Sequence, residues 1–224
     1  METMKVLKNP LHIAILSIIL SWALFLGEQF FHISYGWQTI LKWILLFLVP
    51  FIYYWKKEGL ILSTGRFSRR VFLYGVPLGI IAALAIVIAY LKLHDQIDWS
   101  LLKSYLDKKN ITATTFFLVF SYITFGNSFL EEIFFRGWVF RTLSAWKISF
   151  AYIFSALLFA LYHLSIFSTW FSGWILLFVL FGLFVSGCLF SFLYHKTQSI
   201  WSAWIVHIFA DTAIVVIGYL LFFS

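Results

Sequence analysis

The 224 residues are 62% hydrophobic and only 11% charged, with a mean hydropathy of +0.95. About a quarter of a soluble domain is charged, so a water-soluble globule is excluded, whereas a bilayer can take up this much apolar surface. The net charge of +7 lies in short loops between apolar runs, where it sets topology and meets the headgroups of membrane lipids; a nucleic-acid partner is not indicated.

Unpaired backbone groups are prohibitive in lipid, so every span should be a helix. The expected fold is all-α, a polytopic transmembrane bundle of about seven to eight helices. Apolar runs fall at roughly 11–27, 37–55, 71–91, 112–143, 148–166, 171–194 and 199–222. Lys5 and Lys8 precede the first run, and no small-residue cleavage site follows it, which favours a first membrane helix over a signal peptide. Pro50 and Pro77 fall inside the second and third runs and should kink them. Lys56, Lys57, Arg66, Arg69 and Arg70 give an inside signal. Residues 92–110 mix both charges, and Trp99–Leu106 should lie flat at the interface. With the N-terminus inside, 56–70, 144–147 and Lys196 fall inside and 92–110 outside. The fourth run is too long for one straight span and is interrupted by Gly126, Asn127, Glu131, Glu132, Arg136 and Gly137, so it should tilt, bend or leave the bilayer. Cys188 stands alone, which rules out an intramolecular disulfide and a cysteine metal site.

Charged groups in hydrocarbon cost about 2.5 kcal/mol or more, so polar residues inside spans are functional candidates. Three clusters qualify. Glu132 and Arg136 are four apart, share a helix face and should pair. Glu131 points about 100° away and joins Thr124, Asn127 and Ser128 in a polar stripe. A structural charge cluster at a membrane edge would use the same residues. The second cluster, Phe159-x-x-x-His163, ends the fifth run, where a lone histidine is commonly interfacial. In the last run His207 and Asp211 share a face. They can be two ligands, a hydrogen-bonded pair, two donors toward one substrate oxygen, or a polar pair that fixes helix packing.

Depth couples these clusters. With 144–147 as a turn, Glu131 lies thirteen residues before Ser144 and His163 sixteen after Lys147. Antiparallel neighbours with those offsets meet roughly 20 Å from the turn. His207, about eleven residues beyond Lys196, falls on the same side. One wet cavity can then hold all three. There Glu131 and His163 can activate water directly, or both can bind a metal that acidifies it, while a second histidine faces the oxyanion. No H-E-x-x-H occurs, Ser128 sits in only a fragment of a nucleophile motif, and Asp211 has no partner for an aspartyl mechanism.

The ordered set Glu131-Glu132-x-x-x-Arg136, Phe159-x-x-x-His163 and His207-x-x-x-Asp211 resembles the CPBP family. These are the CAAX-protease and bacteriocin-processing (Abi) intramembrane endopeptidases. The resemblance covers about residues 112–215. The apolar runs over 1–111 make N-terminal transmembrane helices, which match the family only in being membrane spans, and the resemblance implies a catalytic helical core over 112–224, within one membrane domain. It also implies that Glu131 and His163 activate water and that His207 and Asp211 hold the oxyanion or help position a metal. Glu132 and Arg136 would order the helix behind them. Family members are commonly labelled metalloproteases; a zinc ion, if bound, would take Glu131, His163 and His207. The family's last motif often ends in asparagine, so Asp211 is a departure: it is protonated, or orients His207, or is a ligand. The compact form resembles bacterial members acting in bacteriocin or signal-peptide processing or self-immunity. The expectation is therefore a multi-pass protein of a bacterial cell membrane, with a peptide or lipid-associated polypeptide as substrate. A non-catalytic immunity or scaffold protein is the alternative. A transporter would need a pair of interrupted helices in matching halves, which is not seen.

Overall fold

The computed structural model describes residues 10–30, 34–58 and 64–223; Lys5, Lys8 and His32 lie outside them, as do the side chains of Lys56 and Lys57. Among the described residues the chain forms eight helices and no strand. Helix α1 is Pro10–Gln29. Helix α2 runs through Tyr35–Trp43, Ile44–Leu48 and Val49–Glu58, and α3 is Arg69–Leu93. The short α4 is Trp99–Lys108. Helix α5 is continuous through Phe116–Ser121, Tyr122–Asn127, Ser128–Glu132, Ile133–Phe140 and Arg141–Ser144. Then come α6 (Ile148–Trp170), α7 (Gly173–Thr197) and α8 (Ile200–Phe223).

Six of these helices are long and apolar enough to cross a membrane: Pro10–Gln29, Tyr35–Tyr53, Arg69–Gln96, Ile148–Trp170, Gly173–Thr197 and Ile200–Leu220. The charges of α5 keep it off that list, and its position explains them. Every residue from Leu130 to Phe140 is buried, so this stretch faces protein on all sides rather than lipid. Its polar groups therefore meet partners that a lipid-facing helix could not offer. Lipid-type surface lies elsewhere, for example at Ile81, Leu84 and Ile88 of α3 and Leu177 and Phe181 of α7, all exposed.

Two helices change winding. In α2 the π-helical stretch Ile44–Leu48 ends just before Pro50, and Val49 N–H reaches back five residues to the Ile44 carbonyl. Proline lacks an N–H and crowds the preceding turn, so a wider turn next to it absorbs the mismatch. Pro77, by contrast, sits within the uninterrupted α-helix α3. In α5 the π stretches are Tyr122–Asn127 and Ile133–Phe140. They flank Ser128–Glu132, the turn that carries the acidic residues, and such windings recur at functional sites.

The connections sort onto two ends, as alternating spans require. Ile200 N–H donates to the Thr64 carbonyl at 3.0 Å, joining the segment before α3 to the start of α8. At the other end Tyr105 donates to Glu28 Oε1 at 2.5 Å, Lys109 Nζ lies 2.8 Å from the same oxygen, and Tyr105 packs on Trp170. These contacts fasten α4 across the ends of α1 and α6. Burial, then the bond to Glu28, raises the Tyr105 phenol well above its usual range. Helix α4 starts on Asp98, which accepts from Ser100 Oγ at 2.6 Å and Leu101 N–H at 3.0 Å; those bonds hold its carboxyl below the usual range.

Helices α6 and α7 pack face to face, and α8 lies along α3. Helices α6 and α7 approach closely at Gly187, where a Cβ would stand 2.8 Å from Ala156 Cα. That neighbour is backbone and cannot swing away. Gly187→Ala is expected to destabilise the bundle by about 1–3 kcal/mol, as overpacking does. Thermal unfolding in detergent checks this, and an unchanged midpoint would refute the close-approach argument.

Candidate active site

The site forms where α5, α6 and α8 cross. Glu131 and Glu132 are adjacent on a helix, so their carboxylates diverge. Glu132 Oε1 accepts from Arg136 Nη1 at 3.0 Å one turn on, and both side chains are fully buried. Arg136 also donates to the Gly187 carbonyl at 3.3 Å. Its guanidinium lies in the corner formed by the rings of Phe159 and Phe190, 4.5 and 4.8 Å from their centroids, which are 5.9 Å apart with the rings steeply inclined. Planar stacking and a fork of donors suit arginine to this buried corner.

Glu131 faces the other way. Oε1 accepts from Asn127 Nδ2 at 2.7 Å. Oε2 is buried, has no hydrogen-bond partner, and lies 3.6 Å from His163 Nε2 and 3.8 Å from His207 Nε2. Both imidazoles are held from behind. His163 Nδ1 is 2.8 Å from the Phe159 carbonyl, an acceptor only, so Nδ1 carries a proton and the neutral ring presents Nε2 as an acceptor. His207 Nδ1 is 3.0 Å from Glu132 Oε1, and its ring stacks on Phe190 at 5.1 Å. Phenylalanine therefore has a double role in the second motif: the Phe159 carbonyl fixes His163, and its ring supports Arg136 and meets His207 edge-on.

The structure thus brings Glu131, Glu132, Arg136, His163, His207 and Asp211 into one cluster. Asp211 Oδ1 is 3.8 Å from His207 Nε2, too far for a hydrogen bond, and its Oδ2 is buried without a partner. The group that orients His207 is Glu132. Ser128 donates to the Thr124 carbonyl at 2.5 Å and accepts from Trp204 Nε1 at 3.1 Å, so it braces α5 against α8 rather than facing a histidine.

Residues 112–213 match the family model described as Rce1-like, type II CAAX prenyl endopeptidase Rce1-like. This segment, a little under half of the chain, is thereby similar to the CPBP, or CAAX-protease, family. No match was found among curated proteins or among solved structures. The six apolar helices, together with the match to a membrane protease family, indicate an integral membrane protein. All three polar clusters fall inside the matched segment.

Two features of this CPBP-like site lie outside the three motifs. Asn127 belongs to the polar stripe, but its bond to Glu131 sets the carboxylate's rotation. Lys42, from α2, is 9% exposed and donates to Asn127 Oδ1 at 2.9 Å. A charge inside the 37–55 run was the available signal for it.

The donor set is wider than zinc requires. Tetrahedral zinc with bonds of about 2.0–2.1 Å holds its ligand atoms about 3.3 Å apart. The 3.6 and 3.8 Å separations from Glu131 are wider, and among the described residues no group of three His, Cys, Asp or Glu is close enough to hold a metal ion. The residues as placed do not form a zinc site.

Proposed function

We propose that this CPBP-like protein is an intramembrane endopeptidase in which Glu131 and His163 activate a water molecule. One observation supports it above the others: Glu131 Oε2, buried and without a hydrogen-bond partner, faces the Nε2 atoms of two histidines whose Nδ1 atoms are engaged elsewhere. A water between Glu131 Oε2 and His163 Nε2 donates one proton to each acceptor, which turns an oxygen lone pair toward the substrate carbonyl. The water oxygen bonds to the carbonyl carbon as Glu131 takes the proton. His207, as an imidazolium with Nδ1–H on Glu132, directs Nε2–H at the oxyanion. The C–N bond then breaks, and Glu131 returns its proton to the leaving amine.

The substrate we propose is a membrane-associated polypeptide, either prenylated at a CAAX tail or a small apolar peptide of the kind processed in bacteriocin export or self-immunity. The test uses purified protein in proteoliposomes with two internally quenched peptides, one farnesylated and carrying a CAAX end, one unprenylated and apolar. Cleavage by wild type that is lost in folded Glu131→Ala and His163→Ala supports the reading. Metal content measured on the same samples decides whether zinc, at Glu131, His163 and His207, has any part. Full biological function in both variants, with no cleavage of either peptide, would replace catalysis with a binding or immunity role.

At position 211, Asp211→Asn provides an amide donor without disturbing the Glu132–His207 bond. Cleavage is expected to persist at or above the wild-type rate, while Asp211→Leu should lose about ten-fold or more, as removal of a polar group at an oxyanion does. Loss of activity in Asp211→Asn would show that the carboxylate itself is required.

A further inference from the structure

Lys42 lies in the span Tyr35–Tyr53, outside the 112–213 segment that matches the family model. A lysine in such a helix ordinarily extends its ammonium to the headgroups. This one turns inward, with 9% of its surface exposed. Nζ donates to Asn127 Oδ1 at 2.9 Å and lies 5.5 Å from the centroid of the Tyr162 ring. Asn127 in turn donates through Nδ2 to Glu131 Oε1 at 2.7 Å.

The order of these bonds is fixed by chemistry. An ammonium only donates and an ionised carboxylate only accepts, whereas an amide has one end of each kind. Between Lys42 and Glu131, Asn127 satisfies both partners in one orientation alone. The reversed amide would set its NH₂ against the ammonium and its oxygen against the carboxylate. Lys42 therefore anchors the oxygen end of Asn127 while Glu131 takes the NH₂ end, and the two together fix which way Asn127 faces. Asn127 occupies Glu131 Oε1 and leaves Oε2 turned to His163 and His207.

We propose that Lys42 is a positioning residue for peptide hydrolysis, acting through Asn127 to hold Glu131 with Oε2 toward the two histidines. The N-terminal helices then supply part of the catalytic machinery. This rests on the peptidase reading above.

The test compares the full chain with Lys42→Met, Lys42→Arg, Asn127→Leu and the Lys42→Met/Asn127→Leu double variant, alongside Glu131→Gln. In the farnesylated-peptide assay, Lys42→Met is expected to lower kcat roughly ten- to hundred-fold with KM unchanged, the scale of a misplaced reacting group. Lys42→Arg should recover most of that loss. The double variant should be no slower than Asn127→Leu alone, because Lys42 acts through Asn127. An infrared measurement needs no substrate: the carboxylate band that disappears in Glu131→Gln should shift in Lys42→Met, and the double variant should shift it no further than Asn127→Leu alone. Lys42→Gln replaces the methionine variant if the latter does not fold. An unmoved band, multiplying losses in the double variant, or wild-type kcat in Lys42→Met beside an inactive Glu131→Gln would overturn the proposal. Wild-type cleavage by Glu131→Gln would instead overturn the peptidase mechanism, and the infrared band would still decide the role of Lys42.

Discussion

Glu131→Gln is expected to lower kcat for peptide hydrolysis by about 10²- to 10⁴-fold, the contribution of a positioned general base, with little change in KM. Glutamine matches glutamate in size, and its amide oxygen can still accept from Asn127 at the Oε1 position. What it lacks is the second acceptor. Its NH₂ would stand where Oε2 now faces His163 Nε2 and His207 Nε2, 3.6 and 3.8 Å away, and would donate to His163 Nε2 and oppose the His207 Nε2–H instead of taking a proton from water. The substrate-binding surface is untouched, so the loss should appear in kcat. Steady-state kinetics in proteoliposomes read this directly. A variant that folds and turns over within a few-fold of wild type would rule out Glu131 as the base.

Arg136→Met is expected to destabilise the protein by about 3–5 kcal/mol, the usual consequence of removing one partner from a buried ion pair. Methionine fills the corner against Phe159 and Phe190 but cannot donate. Glu132, fully buried, would then keep only His207 as a partner, and the Gly187 carbonyl would lose its bond from α5. The double variant Arg136→Met/Glu132→Gln should recover part of the loss, because it removes the stranded charge as well. Unfolding in detergent measures both. A folded Arg136→Met variant as stable as wild type would mean that Glu132 is neutral or solvated, against the burial seen here.

The helices were legible in the sequence because bilayer thickness and backbone pairing impose long apolar runs. The 37–55 run, for instance, falls within α2, and α7 takes up all but the first two residues of the 171–194 run. The Glu132–Arg136 pair was legible because residues four apart share a helix face. The meeting of Glu131, His163 and His207 followed from counting residues away from short turns. Other features needed the tertiary structure. The π windings of α5 have no local signature, and they alter which residues share a face around Glu131. That Glu132, rather than Asp211, orients His207 depends on how α8 lies across α5, since the offset of four alone suggested the intrahelical pair. Lys42 reads in isolation as a snorkelling residue, and only the packing of α2 against α5 turns it toward Asn127. Nor did the sequence single out Glu28, because the partners that bury it, Tyr105 and Lys109, lie some eighty residues away.

Mass-spectrometric analysis of the farnesylated CAAX peptide after incubation with wild-type proteoliposomes, with Glu131→Gln vesicles in parallel, tests the central claim most directly. The account predicts two fragments whose masses sum to the substrate plus one water, cut at one internal bond, from wild type only. Intact peptide from folded wild-type protein, or equal fragments from both preparations, would contradict it.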